Sequence, residues 1–169
     1  MKLQIAGWLV EVDCPDEVVA HLPNWQPFLW LGADASVAST LCRVETGHVL
    51  QPEAVEPTLT NELEGRTLYL WLRPDCCIVR LMLHDEDYCY TLCANRDWSR
   101  VITDWHYAGE ASCRALDDFL MIAFIYSSAF HHTILMHASS VVCRDAGCAF
   151  IGASGVGKST HSRLWLEHI

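Results

Sequence analysis

The sequence predicts an α/β chain, α+β overall, with a β-rich N-terminal domain followed by the first strands and helices of a phosphate-loop domain. Three observations carry this reading. Residues 67–93 alternate apolar and polar in three short runs separated by turn residues. From Ser112 the spacing of apolar residues becomes helical. Near the C-terminal end stands GASGVGKST, Gly152 to Thr160, which has the form G-x-x-x-x-G-K-[ST]. The expected division is 1–110 for the β-rich domain and 111–169 for the phosphate-loop domain.

The elements follow in order. KLQIAGWLVEV alternates like a strand, with Leu3 and Ile5 on one parity and Trp8, Val10 and Val12 on the other. Gly7 lies at the change of phase and reads as a bulge. CPDEVVAHLPNWQPFLW is interrupted by Pro15, Pro23 and Pro27, which predicts irregular chain or one short helical turn. TLYLWL, CCIVRLML and YCYTLC, separated by Arg73–Asp75 and by the acidic stretch Asp85–Tyr88, read as an antiparallel meander. Asp85–Tyr88 is expected to be a solvated hairpin turn.

SCRALDDFLMIAFIYSSAF places Leu116, Phe119, Leu120, Ala123 and Phe124 on one helical face. Ser112 is expected as its N-cap, and Asp117 and Asp118 as charges favoured early in the helix by its dipole. Met121, Ile122 and Ile125 make the helix apolar nearly all round, which predicts burial between layers. ILMHASSVV is expected as a strand, Arg144–Gly147 as a tight turn, CAFI as a short buried strand, and KSTHSRLWLEH as a helix.

Composition narrows the class of partner. The chain is 51% hydrophobic and 19% charged, as a folded core requires. Its formal net charge of −10 repels nucleic acid and anionic membrane, and no run of Lys or Arg offsets it. No apolar run reaches the ~20 residues of a spanning helix. Nine Cys without a secretory signal read as reduced thiols, which predicts a cytoplasmic protein. Cys76, Cys77, Cys89 and Cys93 lack the C-x-x-C spacing of a zinc site and read as small buried thiols. His131 and His132 read as a helix C-terminal cap.

The loop carries the chemistry. Gly152, Gly155 and Gly157 let the backbone approach phosphate oxygens without an obstructing Cβ. Ala153, Ser154 and Val156 complete the turn, and Lys158 supplies positive charge to the β- and γ-phosphates. The hydroxyl of Ser159 is the expected Mg²⁺ ligand, with Thr160 beside it at the start of the helix. The expected ligand is therefore a nucleotide, ATP with Mg²⁺. The alternative is a Gly-rich strand–helix turn that binds nothing. The two lysines are Lys2 and Lys158, so a lysine inside this loop is difficult to read as surface decoration.

LMHASSVVCRDAGCAFIGASGVGKSTHSRLWLEHI resembles the bacterial HPr serine kinase/phosphorylase family, which is related to the ATP-dependent phosphoenolpyruvate carboxykinases. The resemblance rests on His137-Ala138 ahead of the loop, on Ser154 inside it, and on the strand–turn–strand before it. It spans roughly residues 112 to 169. It implies a P-loop kinase domain that moves the γ-phosphoryl of ATP to a protein serine or small-molecule hydroxyl. It further implies catalytic roles for Lys158 and His137, and self-association. By position alone His137 is equally a strand histidine packed beside the core. In the family a later strand brings an acidic pair that holds Mg²⁺ and acts as base. The sequence stops at Ile169 before such a strand, with Leu164, Trp165, Leu166 and Ile169 in want of a core. The resemblance therefore implies a truncated kinase, inactive in transfer by itself. Asp145 is the one carboxylate close upstream, and its turn position suits a solvated loop. Two other readings stand: a non-catalytic binding module with a vestigial loop, and a carboxykinase-like enzyme, which would need an arginine cluster.

Overall fold

A computed structural model describes residues 1–32, 39–51, 53–84 and 89–168. The stretch Asp85–Tyr88, expected as a hairpin turn, and Ile169 lie outside the described residues. The chain is a mixed α+β structure with a large, mostly sheet body and a few helices. It divides into two compact units, Met1–Thr133 and Ile134–Ile169.

The first unit is an eight-stranded sheet. Its strands are β1 (Lys2–Ile5), β2 (Trp8–Asp13), β3 (Thr40–Glu45), β4 (Leu59–Leu63), β5 (Arg66–Leu72), β6 (Cys76–Leu83), β7 (Cys89–Asn95) and β8 (Arg100–Thr103). Their spatial order is β1-β2-β3-β8-β7-β6-β5-β4. The meander expected over residues 67–93 is present, with β5, β6 and β7 antiparallel. The β2–β3 and β3–β8 pairs are parallel, which alternation within each strand cannot reveal.

Gly7 does not form a bulge. It closes a two-residue turn with Ala6, both at positive φ (50° and 83°), and Ile5 pairs with Trp8. The change of phase in the sequence is the mark of this hairpin. Leu3 and Val10 are opposite one another and both face the core. The proline-rich stretch forms two short 3-10 turns, Asp16–His21 and Gln26–Phe28.

Helix α1 (Cys113–Ala129) buries Leu116, Phe119, Leu120, Ala123 and Phe124, the face expected from the spacing. These side chains join the core formed by the alternate residues of the sheet, such as Val44, Val79, Leu92 and Val101. Each such side chain contributes roughly 1.5–3 kcal/mol on full burial. The helix therefore belongs to the first unit, and the boundary expected at 110/111 moves to 133/134. Its apolar character is also one-sided rather than sandwiched, because Met121 and Ile125 are exposed.

Ser112 stands at the N-cap position without capping. A 3-10 turn, Glu110–Ser112, runs directly into α1. The Ser112 hydroxyl accepts from the Ala108 N–H and donates to the Gly109 carbonyl. Asp117 and Asp118 serve tertiary contacts rather than the dipole. Trp25 Nε1 donates to Asp117 at 2.6 Å, and Arg66 pairs with Asp118. At the other end, His132 adopts φ 56° and the Thr133 N–H reaches the Ser128 carbonyl, a backbone cap of the Schellman type. His131 packs on Trp8 with ring centroids 4.8 Å apart.

The second unit is a hairpin and a helix. Strand β9 (Ala138–Cys143) pairs antiparallel with β10 (Ala146–Ile151) around Arg144 and Asp145, both at positive φ. Helix α2 spans Lys158–His168. The Ser162 hydroxyl donates to Ser139 Oγ at 2.7 Å and ties α2 to β9. Phe150 packs edge-on against His161 and Trp165, which lie one helical turn apart. Strand β10 was expected to be buried, yet its outer residues are exposed, Ile151 at 65%. Leu164 and Leu166 are exposed as well.

Candidate functional site

The segment Gly152–Gly157 joins β10 to α2. Two glycines set its course. Gly155 has φ 77° and Gly157 has φ 91°, conformations that strain any side chain with a Cβ. Gly152 is constrained differently, since a Cβ there would lie 3.0 Å from Val156 Cγ1. The Val156 N–H closes a turn on the Ala153 carbonyl. The His161 N–H bonds to the Gly157 carbonyl and begins the helix.

Lys158 is the first residue of α2. Its Nζ folds back over the loop and donates to the Gly152 carbonyl at 3.0 Å and the Ala153 carbonyl at 2.8 Å. The ammonium is thereby held at the loop rather than free in solvent. Ala153, Ser154, Val156, Ser159 and Thr160 are exposed around it. The first N–H groups of α2 and its dipole add partial positive charge at the same end.

His137 is exposed and lies one residue before β9, not within it. Ala138 pairs with Ile151, so His137 occupies the register position beside Gly152. The fold thus brings the histidine and the loop to one end of the hairpin. Asp145 goes to the other end, at the hairpin turn, roughly 20 Å away along six residues of strand.

The residue types at the loop suit phosphate oxygens rather than a free metal ion. The loop offers main-chain donors, one ammonium and the Ser159 hydroxyl. Among the described residues no group of three His, Cys, Asp or Glu could hold a metal. A Mg²⁺ ion at Ser159 would take its other ligands from phosphate oxygens and water, the usual habit of that ion.

The first unit offers a second concavity, an open cleft of about 760 Å³ lined by Lys2, Glu11, Trp30, Arg43, Glu45 and His48 among others. Its two glutamates are paired with cations. Glu11 pairs with Lys2 at 3.1 Å and Arg43 at 2.6 Å, and these partners hold its carboxyl below the usual range. Arg100 does the same for Glu45. The cysteines of the sheet are free thiols. Burial pushes Cys77 and Cys93 up to about 11, away from the thiolate state a reactive cysteine needs.

No family model, no curated protein and no solved structure matches this chain. What the fold and site define is a mixed α+β protein whose second unit presents a Gly-rich strand–loop–helix with a lysine folded over the loop. No helix among the described residues is long and apolar enough to cross a membrane.

Proposed function

We propose that the second unit binds the phosphates of ATP and that the chain is a phosphotransferase of the HPr kinase-like kind, acting on a serine or small-molecule hydroxyl. The observation that supports this most is the conjunction at the end of β10. Two positive-φ glycines lead directly into a helix whose first residue, Lys158, already has its ammonium at the loop. Phosphate oxygens arriving there meet donors and charge set in advance, which lowers the ordering cost of binding. Lys158 would hold the β- and γ-phosphates. Bound Mg²⁺ would neutralise the developing charge on them, with Ser159 as its protein ligand. His137, beside Gly152, would orient the transferred group.

A second reading, phosphate binding without transfer, also has a specific observation behind it. The two carboxylates of this unit are Asp145 and Glu167. One stands at the far hairpin turn and the other in the last turn of α2, roughly 14 Å along the helix from Lys158. Neither reaches the loop as a base.

Calorimetry with Mg-ATP tests the binding shared by both readings. The wild-type chain should bind, and Lys158→Ala should lose measurable binding with an unchanged circular dichroism spectrum. A well-folded wild-type chain that takes up no Mg-ATP would overturn both. Release of labelled γ-phosphate, or its transfer to an added acceptor, separates transfer from binding alone.

A further inference from the structure

The two edges of the eight-stranded sheet differ. At β1 the edge is covered: Leu3 forms a bridge with Leu29, and the Trp30 N–H donates to the Lys2 carbonyl. At β4 every residue is exposed, and among the described residues its strand partner is β5. An open edge of this kind is a template for another strand unless proline, charged side chains or a bulge block it, and the one charge on β4 is Glu62. The strand Leu-Thr-Asn-Glu-Leu contains neither proline nor lysine.

The register fixes what this edge offers. Leu63 and Arg66 flank the two-residue turn Glu64–Gly65 and are paired, so they exchange main-chain hydrogen bonds. The alternation of an antiparallel ladder then directs the groups of Leu59 and Asn61 to β5. The N–H and C=O of Thr60 and Glu62 point away from the sheet.

We propose that β4 is a self-association edge, pairing antiparallel with β4 of a second copy about a two-fold axis through Asn61. This axis places Thr60 opposite Glu62 of the second copy, and the two residues exchange both main-chain hydrogen bonds. It sets Leu59 against Leu63 of the second copy. These leucines are 57% and 39% exposed, and they share the face covered by α1. An axis through Glu62 would oppose two carboxylates, and one through Thr60 would oppose Leu59 to Asn61; both are poorer cross-strand pairs. The edge is thus self-complementary in hydrogen bonding and in apolar surface, and the pairing keeps the two Glu62 carboxylates from standing directly opposite one another. Beneath it lies an apolar recess of about 120 Å³, lined by Leu59, Leu68, Leu70, Val79, Ile122 and Tyr126 with Asn61. The paired leucines would close over that recess. Two copies each carrying −10 repel, so the association should strengthen with added salt.

Sedimentation velocity of the full chain across a concentration and salt series is the test. The wild-type chain should form a dimer, favoured at higher salt. Thr60→Pro removes an N–H that faces away from β5 and should abolish the dimer. Asn61→Cys places two thiols at a non-hydrogen-bonded pair on the axis. Under mild oxidation it should give a covalent dimer whose disulfide joins residue 61 of one copy to residue 61 of the other in peptide mapping. The wild-type thiols, of which Cys89 is exposed, cannot form that link, which decides the matter even if the proline variant folds poorly. A wild-type chain that remains monomeric at every concentration and salt overturns the proposal. A dimer that survives Thr60→Pro in folded protein, or an Asn61→Cys chain that forms no covalent dimer, also overturns it.

Discussion

Asp118 shows how a single residue is decided by its surroundings. Its position in the sequence suggests a charge near a helix start, but α1 begins at Cys113 and the carboxylate meets Arg66 of β5. Burial pushes its carboxyl above the ordinary 3.8, and Arg66 offsets only part of this. The folded state therefore holds this proton more tightly than the unfolded chain. The group contributes most below its ordinary value, and that contribution is lost as pH rises through the raised one. Asp118→Asn mimics the protonated form. In urea titrations its stability relative to wild type should improve as pH rises from below 3.8 to neutral; parallel curves would show that the carboxylate is not strained by burial. Lys158 is the opposite case. Its place at the loop was legible because the motif and the flanking strand and helix are contiguous in sequence. His137 was legible only as a candidate, since its place beside Gly152 depends on the hairpin register.

At the scale of elements, alternation and helical spacing recovered the meander, α1 and α2, and misread one turn as a bulge. The β1–β2 hairpin turns on Ala6 and Gly7. Ala6 sits at φ 50°, where a Cβ is strained by about 1–2 kcal/mol. Asparagine tolerates this conformation and is favoured before glycine in such turns. Ala6→Asn should therefore stabilise the first unit by roughly 0.5–1 kcal/mol, seen as a melting temperature higher by about 2–4 °C. An unchanged or lower value would mean that the turn is not under this strain. The same backbone geometry recurs at Arg144 and Asp145, where the sequence was read correctly as a tight turn. There the flanking strands show no phase change to suggest a bulge instead.

For the whole molecule, the boundary between units falls after the helix rather than before it. Local pattern marks a change from strand to helix at Ser112, but α1 completes the core of the sheet. Residues 134–137, between that unit and β9, have no regular structure, and Ile134, Leu135 and Met136 are exposed. Limited proteolysis with a protease selective for apolar residues should cut there first. It should leave a resistant fragment ending near residue 133 that retains its sheet signal. First cleavage inside residues 89–129 would show that α1 and the sheet do not form one cooperative unit.

Sequence by itself determined the elements whose information is local: the alternating strands β5, β6 and β7, the buried face of α1, and the Gly-rich loop leading into α2. Tertiary structure decided what depends on residues far apart in the chain. It set the parallel pairing of β3 with β2 and β8, and it assigned α1 to the sheet. It also paired Asp118 with Arg66 and left β4 with β5 as its strand partner among the described residues. The reason is physical. Periodicity reports which face of an element is apolar, whereas the partner of that face is chosen by long-range burial and by strand order, which no local window contains.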